Sequence, residues 1–286
     1  MATELTTEPG ISPGATVHPS AHVDPSASVA AGAVLETGAF VGPDCAVGPG
    51  TRLRAHAMLV ERTVVGAEND VHPYAVLGGD PQDLAFTPDQ DSRLIVGDRN
   101  VIREHATFNR GTGNGPPTTV GSDGYFMAAS HVGHNARVGD GVIFANAVTI
   151  AGHGRVGDRC VLSGHASVHQ FTEVGPGVML RGLTGVGMHV PPYVVVGAHN
   201  TVTGLNVVGL RRSGLEPGEI QDVKRVYRHY YRDRGGGSLE HTHALALEME
   251  WKRAAWAFVE FVGRVLAMSP PRNRGLCGDR PHRVAG

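Results

Sequence analysis

The aliphatic residues of this chain fall on a six-residue ladder. Stepping by six from Val17 gives Val23, Val29, Leu35, Val41, Val47, Leu53, Leu59, Val65, Val71 and Leu77, with no polar residue among them. The series resumes at Val96, Ile102 and Phe108. It then runs from Val120 through Phe126, Val132, Val138, Phe144, Ile150, Val156, Leu162, Val168, Val174 and Leu180 to Val186. Four residues after the large position stands a small one, as at Ala21, Ala27, Ala33, Ala39, Cys45, Ala57, Ala75, Ala106, Ala136, Gly154, Cys160 and Ala166. A short fixed period marks a solenoid. One large and one small inward side chain per hexad fill a narrow triangular prism, the large one packing the interior and the small one relieving a corner. Three hexads make one coil, so residues 18 apart are expected to stack at the inter-strand spacing of about 4.8 Å. The glycines that follow the large position, such as Gly48, Gly97, Gly139 and Gly157, are read as turn residues.

The rhythm breaks twice. The interval from Leu77 to Val96 falls out of step with the repeat by a single position and holds Gly78-Gly79-Asp80-Pro81-Gln82-Asp83-Leu84, so a loop near 78–93 must leave the prism. A second segment near 110–118 keeps the count but puts Asn114 where an aliphatic belongs, and is expected to bulge. Protruding loops on a rigid scaffold are either tolerated insertions or places where ligand contacts concentrate. The prism is assigned to 11–195 and a connector to 196–215. A helical C-terminal domain over 216–270 follows from Ile220, Val223, Tyr227 and Tyr230 at helical spacing, and then from Ala244, Leu247, Trp251, Ala255, Phe258 and Val262, broadened by Trp256, Phe261 and Leu266. The tail 271–286 and residues 1–10 are expected to be mobile.

Composition agrees with this architecture, since 40 glycines and 18 prolines suit many tight turns. A formal charge of −2 does not call for nucleic acid. No apolar run approaches membrane-spanning length and no signal peptide follows Met1, so a cytoplasmic protein is expected. Cys45, Cys160 and Cys277 match no disulfide or metal spacing, and Cys45 and Cys160 read as small inward fillers.

Sixteen histidines is a high count. His131, His134, His153, His165 and His169 all fall off the inward ladder. By the 18-residue ruler His134, Gly152 and Gln170 stack, and His153 lies between Asn135 and Phe171. His134 suits a general base, and Gly152 an oxyanion donor through an unobstructed N–H. The plain alternative is a hydrogen-bonded histidine ladder along the prism or across a subunit contact. A zinc site between subunits is the main chemical rival, but spacing singles out no trio of ligands.

At this point the chain resembles the UDP-N-acetylglucosamine O-acyltransferase family of hexapeptide-repeat enzymes. The resemblance rests on Gly79-Asp80-Pro81-Gln82-Asp83-Leu84, Ile102-Arg103-Glu104, Asn109-Arg110-Gly111-Thr112, Ser130-His131-Val132-Gly133-His134, Ala151-Gly152-His153, Val168-His169-Gln170-Phe171, Val190-Pro191-Pro192-Tyr193 and Gly209-Leu210-Arg211-Arg212. It implies an all-β left-handed parallel β-helix followed by a small α-helical C-terminal domain, assembled as a homotrimer. It also implies transfer of a (3R)-3-hydroxyacyl chain from acyl carrier protein to the 3-OH of UDP-N-acetylglucosamine, the first step of lipid A synthesis. No tightly bound cofactor or metal is implied; the carrier's phosphopantetheine belongs to the donor substrate. Carried over by position, His134 and Gly152 are the catalytic pair. Asp83, His131, His153, His169, Gln170, Arg211 and Arg212 contact the substrates, and Met179, Leu180 and Gly182 lie where acyl length is limited.

The chain departs from the family pattern at Ala85, where lysine is usual, and at Asn135, often aspartate. Ser213 takes the second place of the usual arginine pair, and the Val196 to Asn200 segment is altered as well. These departures keep open a modified acceptor such as a 3-amino UDP-sugar, and a non-catalytic hexapeptide scaffold. The related N-acyltransferase is disfavoured because it normally carries an N-terminal nucleotide-binding domain, whereas here the prism begins by Val17.

Overall fold

The structure is a computed structural model that describes residues 8–113, 115–234 and 237–279. Asn114, the glycines at 235 and 236 expected to end a helix, and residues 1–7 and 280–286 lie outside that set. Inward aliphatics alternate with outward polar residues over two positions and then a turn follows, so each hexad becomes a short strand. Parallel stacking of these strands makes three faces. The first has nine strands from Gly10–Ile11 to Glu173–Val174, and the second has twelve beginning at Thr16–Val17. The third has nine, from His22–Val23 to Gly185–Val186. The chain visits them in that order and winds into a left-handed parallel β-helix with a small α-helical C-terminal domain.

The aliphatic ladder from Val29 to Val186 forms one buried core with the small residues at its corners. Phe108, Phe126 and Phe144 fill the interior edge to face, with centroids 5.0 and 5.1 Å apart. The glycines after the large position open the corner turns, the Gly48 carbonyl accepting from the Thr51 N–H at 3.3 Å and the Gly133 carbonyl from the Ala136 N–H at 3.2 Å. Gly48, Gly97, Gly139 and Gly157 do so without a positive φ; a Cβ on Gly139 would meet Asp158 Oδ1 at 2.2 Å, and one on Gly48 would meet the Gly66 carbonyl oxygen at 2.3 Å. The next coil passes too close for a side chain. The left-handed corner positions belong to other residues, among them Asp44, His56, Arg99, Asn135, His153 and Phe171. The aspartates after these glycines link coils: Asp140 accepts from the Ser122 N–H at 2.7 Å and Asp158 from the Asp140 N–H at 3.0 Å.

The regular 18-residue stacking holds where no loop intervenes, as in the series His131, Thr149 and Ser167. At the two breaks it does not. Thr63 pairs with Leu94, and Leu94 in turn with Thr118, both separations exceeding the regular step. Each break therefore extrudes a loop from the coil it interrupts, and the first loop is the longer.

The segment read as a connector is structured. Val194–Ala198 and Thr201–Leu205 form an antiparallel hairpin on the second face, followed by a short helix α1 (Val207–Arg212). Helices α2 (Pro217–Tyr231), α3 (Leu239–Leu247) and α4 (Arg253–Leu266) come next. Glu216 and Glu219 form a capping box around Pro217 at the start of α2. Ala255, Phe258, Val259 and Val262 of α4 pack inward, whereas Trp256 lies at the surface of the single chain with its indole N–H donating to Glu260.

Residues 271–279 of the tail expected to be mobile return to the prism as a strap. The His189 N–H donates to the Gly275 carbonyl at 2.8 Å, the Cys277 N–H to the His189 carbonyl at 2.7 Å, and Gly278–Asp279 adds a strand beside Thr201–Leu205. Buried His189 holds the strap with its ring. Its Nδ1 accepts from the Glu173 N–H at 3.0 Å and its Nε2 donates to the Arg272 carbonyl at 2.6 Å, which requires the neutral imidazole. Among the described residues, no helix is long and apolar enough to cross a membrane.

Candidate active site

The corner between the third and first faces holds most of the outlying histidines. Val132, Ile150 and Val168 point into the core, and the chain turns immediately after each. His134, Gly152 and Gln170 therefore occupy the same corner position on successive coils. A Cβ built on Gly152 would lie 2.4 Å from His134 Nε2, so the imidazole rests over the bare backbone of Gly152. The Gly152 N–H has no protein acceptor among the described residues.

Asn135 orients the ring. Its left-handed backbone, φ 56°, turns the side chain back toward the loop at 110–118. Asn135 Nδ2 donates to the Pro116 carbonyl at 2.7 Å, which commits Oδ1 to accepting. Oδ1 receives the Thr112 N–H at 3.2 Å and the Thr112 hydroxyl at 3.1 Å, and stands 2.8 Å from His134 Nδ1. The neutral His134 imidazole thus carries its proton on Nδ1 and presents Nε2 as the acceptor above Gly152.

His153 meets His134 edge to face at 5.2 Å and stacks on Phe171 at 4.7 Å. His131, on the strand entering the corner, lies 2.8 Å by its Nδ1 from Thr107 Oγ1. Burial and the neighbouring His134 both depress the proton affinity of His131 and His153. Arg272 pushes His153 further down while Asp83 opposes it. Both are accordingly neutral at pH 7. His169 and Gln170 are exposed at the same corner.

Asp83 belongs to the extruded loop, where its carboxylate accepts the Ala85 N–H at 2.9 Å. The loop root is held by Arg110, which is 1% exposed. Its Nη1 donates to Glu61 at 2.8 Å, its Nη2 to Asp80, and its guanidinium lies 5.6 Å from the centre of the Phe86 ring. The Asn109 amide adds a bond to the Asp80 carbonyl at 2.6 Å. Sequence reasoning placed Asp80, Asn109 and Arg110 in its motifs without seeing this clamp. A charged residue between two loops, next to an aliphatic strand, was the available signal.

Other expected site residues stand elsewhere on the single chain. His165 and Gly182 lie at the corner between the second and third faces. Leu180 is wholly inside the core and cannot line an external groove, because it is a member of the inward ladder; its neighbour Met179 faces outward from the second face. Arg211 and Arg212 end α1 near the corner between the first and second faces, where Arg159 donates to the Ser213 carbonyl at 2.8 Å. One chain does not gather these residues around His134.

Burial pushes the Cys45 thiol up to about 11, and those of Cys160 and Cys277 to about 12, so none is a ready nucleophile. Among the described residues, no three or more His, Cys, Asp or Glu side chains are grouped to hold a metal ion.

This combination defines a hexapeptide-repeat left-handed β-helix protein with a polar corner built around one oriented histidine. Comparison with known proteins narrows the class. A family model described as Udp N-acetylglucosamine O-acyltransferase, Domain 2, matches residues 189–277. The acyl-(acyl-carrier-protein) UDP-N-acetylglucosamine O-acyltransferase of Anaeromyxobacter sp. (strain K) is 44% identical over 161 residues, 56% of this chain and 62% of the relative. The match thus spans less than two thirds of that relative's length. The enzyme of the same name from Syntrophobacter fumaroxidans is 39% identical over 217 residues, 75% of this chain and 83% of the relative. The crystal structure of UDP-N-acetylglucosamine O-acyltransferase from Moraxella catarrhalis superimposes with a TM-score of 0.82 at 30% identity, covering 91% of this chain and 99% of that one. The chain belongs to the UDP-N-acetylglucosamine O-acyltransferase family.

Proposed function

We propose that this protein transfers a (3R)-3-hydroxyacyl chain from acyl carrier protein to the 3-OH of UDP-N-acetylglucosamine in one direct displacement. The observation that carries this reading is His134, gripped at Nδ1 by Asn135 so that Nε2 is aimed over the Gly152 backbone, whose N–H has no acceptor among the described residues. The acceptor oxygen attacks the thioester carbonyl as its proton passes to His134 Nε2. The developing oxyanion accepts from the Gly152 N–H. On collapse the C–S bond breaks and the leaving thiol takes the proton back from His134, so the enzyme returns to its starting state. No acyl-enzyme is needed, in keeping with the buried cysteines.

Neutral His131 and His153, with His169, Gln170 and Asp83, line the acceptor side of the corner. Arg211, Arg212, Met179 and Gly182 join the site from a neighbouring subunit of a homotrimer, because in one chain they lie on the second face or at its corners. The test is turnover of UDP-N-acetylglucosamine with 3-hydroxyacyl carrier proteins of several chain lengths, read by mass, in wild type and His134→Ala. Product from the wild type and none above background from the variant is the expected result. Equal turnover would overturn the assigned base. Transfer only to a 3-amino UDP-sugar would change the acceptor and yield an amide, and no transfer to any acceptor would leave a binding scaffold.

A further inference from the structure

The strand positions that leave the His134 corner carry an excess of positive charge. On the first face, Arg137, Arg155 and Glu173 occupy one outward column on successive coils, just after Asn135, His153 and Phe171 respectively. Two more arginines arrive from outside the prism. Arg264 of α4 pairs with Glu173 at 2.9 Å, which occupies the column's carboxylate. Arg272 comes from the strap, with its guanidinium 5.6 Å from the centre of the Phe171 ring and its carbonyl fixed by His189. Arg137, Arg155 and Arg272 make no ion pair among the described residues, and Arg155 and Arg272 are half-buried. Guanidinium groups crowded together and partly stripped of water oppose folding unless an anion joins them.

Resting on the acyl-transfer reading above, we propose that Arg155 and Arg272, assisted by Arg137, form a phosphate-binding site beside the His134 corner. It takes a phosphate ester of one of the two substrates, either the diphosphate of the sugar nucleotide or the phosphate of the carrier's phosphopantetheine arm. Planar forks on two coils and on the strap suit bidentate contact with phosphate oxygens. The site supplies positive charge from the strap and the first face, where Ala85 supplies none from the loop.

Calorimetric titration of the intact protein tests this with two probe pairs, UDP against uridine and 4′-phosphopantetheine against pantetheine. The proteins are wild type, Arg155→Gln/Arg272→Gln and His134→Ala. The strap is held through the Arg272 carbonyl rather than its side chain, so the double variant is expected to fold, and circular dichroism with light scattering checks fold and assembly. The expected result is a loss of about 10- to 100-fold in affinity for one phosphorylated probe in the double variant. Its unphosphorylated partner is unaffected, and His134→Ala binds like wild type. The pair that responds identifies the source of the phosphate. Affinity for both phosphorylated probes within twofold of wild type overturns the proposal. So does wild-type binding that ignores the phosphate, or a changed assembly with phosphate binding intact, which would make the arginines a subunit contact. Should an Arg-dependent phosphate site persist in a protein that transfers no acyl group, the anion site stands and the acyl-transfer reading fails.

Discussion

Two corners of the same prism hold an imidazole over a glycine, and only one has the oriented ring and unused N–H that the proposed transfer needs. Between the second and third faces, a Cβ on Gly38 would lie 2.4 Å from His56 Nδ1, the same clearance found between Gly152 and His134 Nε2. His56 stacks on Tyr74 at 5.3 Å, and Tyr74 on His105 at 5.3 Å, so its ring is one rung of an aromatic ladder. The Gly38 N–H already donates to Ser20 at 3.1 Å, and Gly38 itself is left-handed at φ 64°. At the other corner the imidazole is gripped at Nδ1 by Asn135 and the glycine N–H is free. The clearance is thus a consequence of stacked coils. Reactivity requires in addition an oriented ring and an unused donor.

The largest expected effect separates the two histidines. His134→Ala should lower kcat by about 10²- to 10⁴-fold with an unchanged melting temperature, while His56→Ala keeps kcat within about twofold. Comparable losses in both would end the distinction. Exchanging the glycines comes next. Gly152→Ala should displace the His134 ring and cost about 10²-fold in kcat. Gly38→Ala, strained by its positive φ, should lower the melting temperature and leave kcat alone. Steady-state kinetics and thermal melts on the same four proteins sort these outcomes.

A smaller effect concerns what supports the reactive corner. Arg110→Ala removes the bonds to Glu61 and Asp80 and should destabilise by about 1–3 kcal/mol, and limited proteolysis should then cut first within 78–93. Resistance of that loop to protease in the variant would show that the clamp is dispensable.

The smallest effect is on pH. Burial holds the proton affinity of His189 below its ordinary value, so its contribution is fully present above the unfolded pKa of about 6.5. It is lost as pH falls from there through the folded pKa, at up to about 1.4 kcal/mol per pH unit. His131 and His153 act in the same direction. The melting temperature should be lower at pH 5.5 than at pH 7.5, and His189→Gln should flatten that difference. A pH-independent melting temperature in the wild type would contradict the neutral, two-bond role of His189.

Much of the reactive corner was legible in the order of residues because no loop interrupts the repeat between Val120 and Val186. An unbroken period converts directly into spatial neighbours, so counting alone set His134 beside Gly152 and Gln170. The period's two breaks marked where loops leave the prism but not the new register, in which the lengthened step joins Thr63 to Leu94 and Leu94 to Thr118. The period also marked the glycines as turn residues without showing the close approach of the next coil that excludes a side chain there. A turn and a close approach of the next coil leave the same letter in the sequence, and only the stacked backbone shows both.

By itself, then, the sequence determined the prism, its inward columns and the stacking of one histidine over one glycine, because these depend on local hexads repeated at constant spacing. The tertiary structure alone decided that the Asn135 amide nitrogen, not its oxygen, faces Pro116, and therefore which nitrogen carries the proton in neutral His134. It also decided that Arg110 is buried between two carboxylates, that Leu180 belongs to the core, and that the expected mobile tail returns to bring Arg272 to Phe171. These features join segments far apart in the chain through side-chain hydrogen bonds and charges. Their partners are chosen by where the chain returns in space, which no periodicity encodes.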